Sequence, residues 1–420
     1  MMQINVGENK GVPGEVVYGY WEAFEHPVGT IERLPVIIAQ GLKEGPVVWL
    51  TANIHGDEYT GIPVIHSVIN NLNLTKMAGA IVAIPTLNPA GSRTISRVPY
   101  YDKKDPNRLF PDGNPFKEKQ TPQEIVSEKT FVEKKGEVND DLKVITQKAV
   151  QVALAVRDEK KKEVDPLAIY DKDELYPSIQ EQIWARLFKE MKQTASVLID
   201  LHNAYIKSIP FVFQDRVLYN PNKGPEEVEA AKKLLSQTTD LISTFGFTII
   251  RETTPMKYVV KKLHRSTSGA ALNALRIPSF TVELGMYRDV EKPVVKAATK
   301  GIFNVLKKLK MLEGEFEEIT EIPVIARGEA VRYIGYPRVK TAAIIDLQVS
   351  KGDRVRKGDI IAYARDIFGR PKNDEFEIRT EVDGYIFMIN EGILRYPNEE
   401  ICWIAAKDVH PMVDEWPKKK

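Results

Sequence analysis

His55-Gly56-Asp57-Glu58 sits where a β-branched, apolar run (residues 47–52) gives way to a helical pattern opening near residue 59. An imidazole and a carboxylate three residues apart at such a turn can grip one cation from one side. Zinc in a catalytic site takes three protein ligands and keeps a position for water. A further histidine is therefore needed on another strand end, and Ser196-Val197-Leu198-Ile199-Asp200-Leu201-His202-Asn203 supplies it. Asp200 and His202 share one face of that strand, so Asp200 can orient the ring or offset local charge. The ligand set read from the sequence is His55, Glu58 and His202, with one Zn2+ per chain. The competing reading of a lone H-x-x-E, which is common by chance, is a helix-cap or surface histidine. The strand-to-helix setting and the strand-terminal Asp-Leu-His tip the balance towards a metal.

The elements that must hold these residues alternate. Strand patterns fall at 15–21, 34–38, 47–52, 80–85, 197–201, 211–213, 248–250 and 280–284, and helical patterns at 59–71, 179–193, 225–245, 268–275 and 292–310. Ile62, Ile65, His66, Ile69 and Leu72 are expected on one face of the first helix. Ser178 with Glu181 forms a capping-box signature for the second. This predicts an α/β domain, a mixed sheet flanked by helices, with sites at strand ends. Residues 112–177 break the pattern with Pro/Gly turns, charge runs and one amphipathic helix at about 139–162, as an insertion would. Beyond residue 313 the helical signal stops. Val349-Ser350-Lys351-Gly352-Asp353 is echoed by Val355-Arg356-Lys357-Gly358-Asp359, and a small all-β domain is expected at 322–408. The α/β domain then spans 1–315.

The 420 residues suffice for two domains, and 43% hydrophobic with 28% charged residues is ordinary globular composition. Lys+Arg 59 against Asp+Glu 58 gives +1, which offers no electrostatic case for nucleic acid or a membrane surface. No apolar run reaches membrane-spanning length, and the first residues lack a signal-peptide core. A cytoplasmic protein is the simplest expectation. Cys402 is the one cysteine, so no intrachain disulfide can form; its apolar neighbours predict a packing role. No Gly-rich phosphate loop is present, so no nucleotide cofactor is implied.

His55-Gly56-Asp57-Glu58, Asn88-Pro89-Ala90-Gly91, Asp105-Pro106-Asn107-Arg108-Leu109-Phe110-Pro111, Asp200-Leu201-His202 and Val282-Glu283-Leu284-Gly285 together resemble the succinylglutamate desuccinylase/aspartoacylase family, a branch of the zinc carboxypeptidase-like hydrolases. The resemblance runs from about residue 47 to residue 310, apart from the insertion. The β-rich tail is similar to barrel-sandwich domains, without the hairpin lysine of a carrier. One departure is Pro106, where the family has Leu in Asp-Leu-Asn-Arg; proline restricts the backbone and removes a donor.

The resemblance implies roles. Glu283, which ends a strand and can project from the same edge as the metal, is the expected general base and acid. Arg97 matches the family position for charge stabilisation best, with Arg93 competing four residues earlier. Arg108 offers a planar fork for a substrate carboxylate, and Asn107 adds amide hydrogen bonds. His264 and Arg265 read as a solvated loop, and His66 as structural. The implied activity is hydrolysis of a small N-acyl substrate, an N-acyl amino acid in the first place. The alternatives are a metallocarboxypeptidase acting on peptides and a non-catalytic metal-binding relative. A homo-oligomer is left open.

Overall fold

The computed structural model describes residues 3–115, 177–204, 206–372 and 375–417. The expected helix at 139–162 and most of the expected insertion lie outside these residues. The chain divides into two compact units, residues 1–116 with 183–420 and residues 117–182. In the described end of the smaller unit, Ser178 and Glu181 form the anticipated capping box: Ser178 N donates to Glu181 Oε2 (3.1 Å), and Glu181 N to Ser178 Oγ (3.4 Å).

The larger unit is built on one mixed sheet. Its middle runs Phe211–Gln214, Ser279–Met286, Val197–Ala204, Lys43–Ala52, Ala78–Ile84, Ile31–Gln40 and Val16–Glu25. Lys43–Ala52 lies parallel to both neighbours, with Val48 opposite Val197 on one side and Ile81 on the other. A strand enclosed on both edges and both faces needs a continuous apolar run, and Val47 to Leu50 supply it, all buried. Every residue of Val197–Ala204 is buried too.

Helices Gly61–Asn70, Pro225–Phe245 and Lys292–Lys308 cover one face through Val64, Ile65, Leu241, Phe245, Ile302 and Val305. On the first helix Val64 and Val68 take the inward positions, and His66 is exposed rather than on the apolar face. The helix expected at 268–275 is α-helical over Thr267–Ala270 and then widens into a π turn, Ala271–Leu275. Asn273 lies in that turn; its amide donates to Arg216 O and Gly269 O and accepts from Leu218 N. Such single wide turns recur beside functional sites.

Residues after 330 are β-rich. Val331–Gly335 runs parallel to Thr248–Arg251, with Arg332 opposite Arg251, so this segment extends the central sheet through Cys402–Lys407 and Gly384–Ile389. A second sheet of Glu377–Arg379, Ile360–Arg365, Ala343–Leu347 and Leu394–Arg395 encloses a core with Ile361, Ile386, Cys402 and Ile404. Burial pushes the Cys402 thiol up to about 12, which suits packing rather than reactivity. The sequence echo becomes two like turns. Gly352 and Gly358 take φ of 97° and 96°, and Asp353 and Asp359 accept from Ser350 N and Arg356 N. Among the described residues no helix is long and apolar enough to cross a membrane.

Candidate active site

The turn after Lys43–Ala52 is held by amides. Asn53, at φ 53°, donates its side chain to His55 O (3.0 Å) and Glu58 O (2.8 Å). Asn88 donates to Ile54 O and Arg97 O while accepting from Gly91 N. Gly56 lies directly against this second turn; a Cβ there would stand 2.2 Å from the Gly91 carbonyl carbon. Gly56→Ala must therefore push the two turns apart. The expected result is a loss of about 1–3 kcal/mol, as for other overpacked sites, read as a lowered urea midpoint. An unchanged midpoint would show that the turns are not interlocked.

The turn brings His55 and Glu58 against His202 on the neighbouring strand. All three are buried, and their donor atoms lie within 4.8 Å of one another. His55 Nδ1 faces Glu58 Oε1 at 2.7 Å, and His202 Nδ1 faces Glu58 Oε2 at 2.8 Å. Both Nε2 atoms are held from behind by aspartates: His55 by Asp105 (3.1 Å) and His202 by Asp200 (2.8 Å), whose other oxygen accepts from Thr51 Oγ1 (2.7 Å). Two imidazoles turned towards one point, each with a carboxylate on its far nitrogen, form the arrangement that orients metal-bound histidines. The donor set therefore fits a zinc ion, with His55, Glu58 and His202 as ligands.

The electrostatics agree with a site short of positive charge. Burial raises the Glu58 carboxyl, but His55 and His202 outweigh it and hold it well below the usual range. Burial lowers His202, yet Asp200 and Glu58 raise it well above the ordinary histidine value. Desolvation works against the Asp105 carboxylate too, and His55 and Arg97 keep it far below normal.

The other expected residues separate into groups. Arg97 spans the cluster, donating to Glu58 Oε1 (3.2 Å) and Asp105 Oδ2 (3.1 Å). Arg93 turns away to Glu32 (2.7 Å) and is exposed. Asn107 Oδ1 accepts from Thr267 N (2.8 Å), and its amide reaches His202 Nε2 at 3.4 Å. Pro106 is no obstacle: it opens a 3-10 turn, Pro106–Arg108, capped by Asp105, where the missing N–H has no partner to lose. Arg108 spends Nη1 on Asn107 O (2.5 Å) and makes no ion pair among the described residues. Glu283 lies opposite His202 in register; one of its oxygens, Oε2, is shielded from solvent with no hydrogen-bond partner. Burial, resisted by His202 and reinforced by Glu58, raises its carboxyl to about 7.

His264 and Arg265 are not a solvated loop. His264 is buried edge-on to Trp416 and 3.3 Å from Asp112, and Arg265 donates to Phe110 O (2.9 Å), so the segment clamps the Asn107-bearing turn. The Asp105 contact with His55 has no trace in the sequence beyond the Asp of the Asp-Pro-Asn-Arg motif.

Fold and cluster together define a mixed α/β protein with a buried His–Glu–His site at the ends of central strands. Residues 44–135 match the model of the succinylglutamate desuccinylase/aspartoacylase catalytic domain, a family whose named activities are deacylations. Solved structures share the fold across nearly the whole chain. The succinylglutamate desuccinylase/aspartoacylase of Rhodobacter sphaeroides is 17% identical, with a TM-score of 0.59 over 94% of this chain and 96% of that one. A succinylglutamate desuccinylase of Silicibacter sp. TM1040 is 15% identical, with a TM-score of 0.62 over 94% and 95%. The product-bound ectoine utilization protein EutE (DoeB) of Ruegeria pomeroyi is 15% identical, with a TM-score of 0.61 over 94% and 97%. No curated protein matches the chain.

Proposed function

We propose that the protein is a zinc-dependent hydrolase that removes the acyl group from an N-acylated amino acid or related small amide. The observation carrying this reading is the pair of imidazoles facing Glu58, each backed by an aspartate, beside a Glu283 oxygen that has no partner. A bound zinc would supply Lewis acidity, making water acidic enough to lose a proton near neutral pH. The residues do the rest. Glu283 takes the proton of the attacking water and returns it to the leaving amine. Arg97, fixed by Glu58 and Asp105, places its guanidinium where charge develops on the carbonyl oxygen. Arg108, with Nη1 spent on Asn107 O, takes the substrate carboxylate on its Nε and Nη2, and Asn107, oriented by Thr267, adds an amide donor.

The test is amine release from N-acetyl-, N-succinyl- and N-formyl-amino acids with added zinc, beside release of C-terminal residues from short peptides. Release from the acyl-amino acids and not from peptides is the expected result. Peptide trimming alone would replace this reading with a carboxypeptidase, and inactivity on both would point to a metal-binding relative without turnover.

A further inference from the structure

Two buried carboxylates stand apart from the metal cluster. Asp215 follows Phe211–Gln214 and Glu252 follows Thr248–Arg251. Those strands are parallel neighbours with Gln214 opposite Arg251, and Glu252 N donates to Gln214 O, so the two acids end adjacent strands side by side. They are only 4% and 6% exposed. Their partners are neutral. Asp215 accepts from Tyr258 Oη (2.7 Å) and Ser268 Oγ (2.7 Å), and Glu252 from Thr253 N (2.9 Å) and Tyr333 Oη (3.2 Å). Among the described residues neither has an ion-pair partner. Arg216, next in sequence, spends its guanidinium on Thr253 O, Pro411 O and Asp414.

These acids are joined to the reaction site. Ser268 Oγ, donating to Asp215, also meets Thr281 Oγ1 at 2.9 Å. Thr281 lies two residues before Glu283 on one strand, so both face the same way. A polar strip thus runs from the unpartnered Glu283 oxygen, past Thr281, to Asp215. On its other side Glu252 feels the charges of Arg108 and Lys261, neither of which forms an ion pair with it. Burying like charges together with no cation in ion-pair contact is costly. Accordingly, burial and the Glu252 charge raise the Asp215 carboxyl to about 7.

We propose that Asp215, with Glu252 beside it, selects substrates whose amine half ends in a cationic group, an ammonium or guanidinium, while Arg108 holds the α-carboxylate. This rests on the deacylase reading and narrows it to N-acylated basic amino acids. The cation supplies the charge the pair lacks, at a distance from the scissile amide set by the length of the strip.

The experiment compares zinc-loaded enzyme on Nα-acetyl-ornithine and Nα-acetyl-lysine with the chain-matched neutral Nα-acetyl-norvaline and Nα-acetyl-norleucine. Wild type, Asp215→Asn and Glu252→Gln are run alongside, and binding of free lysine and norleucine is measured by calorimetry. The expected result is a kcat/KM preference for the cationic substrates of roughly thirtyfold or more, falling towards unity in Asp215→Asn. Asparagine keeps the volume, and its one oxygen can still accept from Tyr258 while its amide donates to Ser268 Oγ; if that variant does not fold, Glu252→Gln must weaken the preference instead. Hydrolysis without preference, or a preference untouched in both variants, overturns the proposal and leaves the deacylase standing. If nothing is hydrolysed but lysine outbinds norleucine in an Asp215-dependent way, the cation subsite stands and the deacylase reading fails. Absence of both overturns both.

Discussion

Glu283→Gln is expected to bind zinc at wild-type stoichiometry and to lose roughly 10²–10⁴-fold in kcat, with KM little changed. Glu283 is not among the three groups whose donor atoms converge, so removing its charge leaves His55, Glu58 and His202 intact. It is instead a carboxyl with one oxygen shut away from water and unpartnered, on the strand beside His202. A glutamine there fills the same space and cannot accept a proton, so the loss should fall on the chemical step rather than on binding. The measurement is steady-state kinetics on whichever amide the panel identifies, beside metal analysis of both proteins. A variant within tenfold of wild type would remove Glu283 from proton transfer. A variant that lost its zinc would show that the carboxylate serves the metal instead.

The histidines were legible in the sequence because each comes at the end of an apolar run that a buried strand demands, His55 just past Lys43–Ala52 and His202 in the last residues of Val197–Ala204. Nothing local could choose between Arg93 and Arg97. The choice is made by Ile95, which takes a left-handed φ of 52° and turns the chain between them, sending Arg93 to Glu32 and Arg97 to Glu58. Asp105 was visible as part of a motif, but its contact with His55 spans fifty residues of sequence. Asp215 and Glu252 carry no sequence signal for a related reason. Each ends a short strand, and only the parallel pairing of those strands puts the two charges together. His264 looked solvated because its neighbours are polar, yet Trp416 from the far end of the chain covers it. Likewise, periodicity revealed a β-rich tail, while its junction with the rest of the chain rests on pairings between residues far apart in sequence, Arg251 with Arg332, Ser208 with Met388 and Val217 with Val413.

A chelator should abolish hydrolysis and zinc should restore it, and His202→Ala should bind less than a tenth of the wild-type zinc. The argument against a purely structural role for the cluster lies in its response to pH. Without metal, a histidine held well above its ordinary value contributes stability that is complete below about pH 6.5 and is lost as pH rises through the folded value. Zinc reverses that slope, because the raised His202 ring must lose a proton before Nδ1 can act as a ligand, so binding tightens as pH rises. At a hundredfold excess over its dissociation constant, zinc adds about 2.7 kcal/mol to the native state. Urea midpoints measured from pH 6 to pH 9 should therefore fall for the chelated protein and rise for the zinc-loaded one. The two curves separate most at the alkaline end. Coincident curves would mean that Glu58 and its two histidines are a buried ion network that holds the turn to the strand without a metal. In that case His202→Ala would destabilise the fold without changing its zinc content. Aspartates behind both Nε2 atoms argue for the first outcome, since a structural network would not need both rings aimed at one carboxylate.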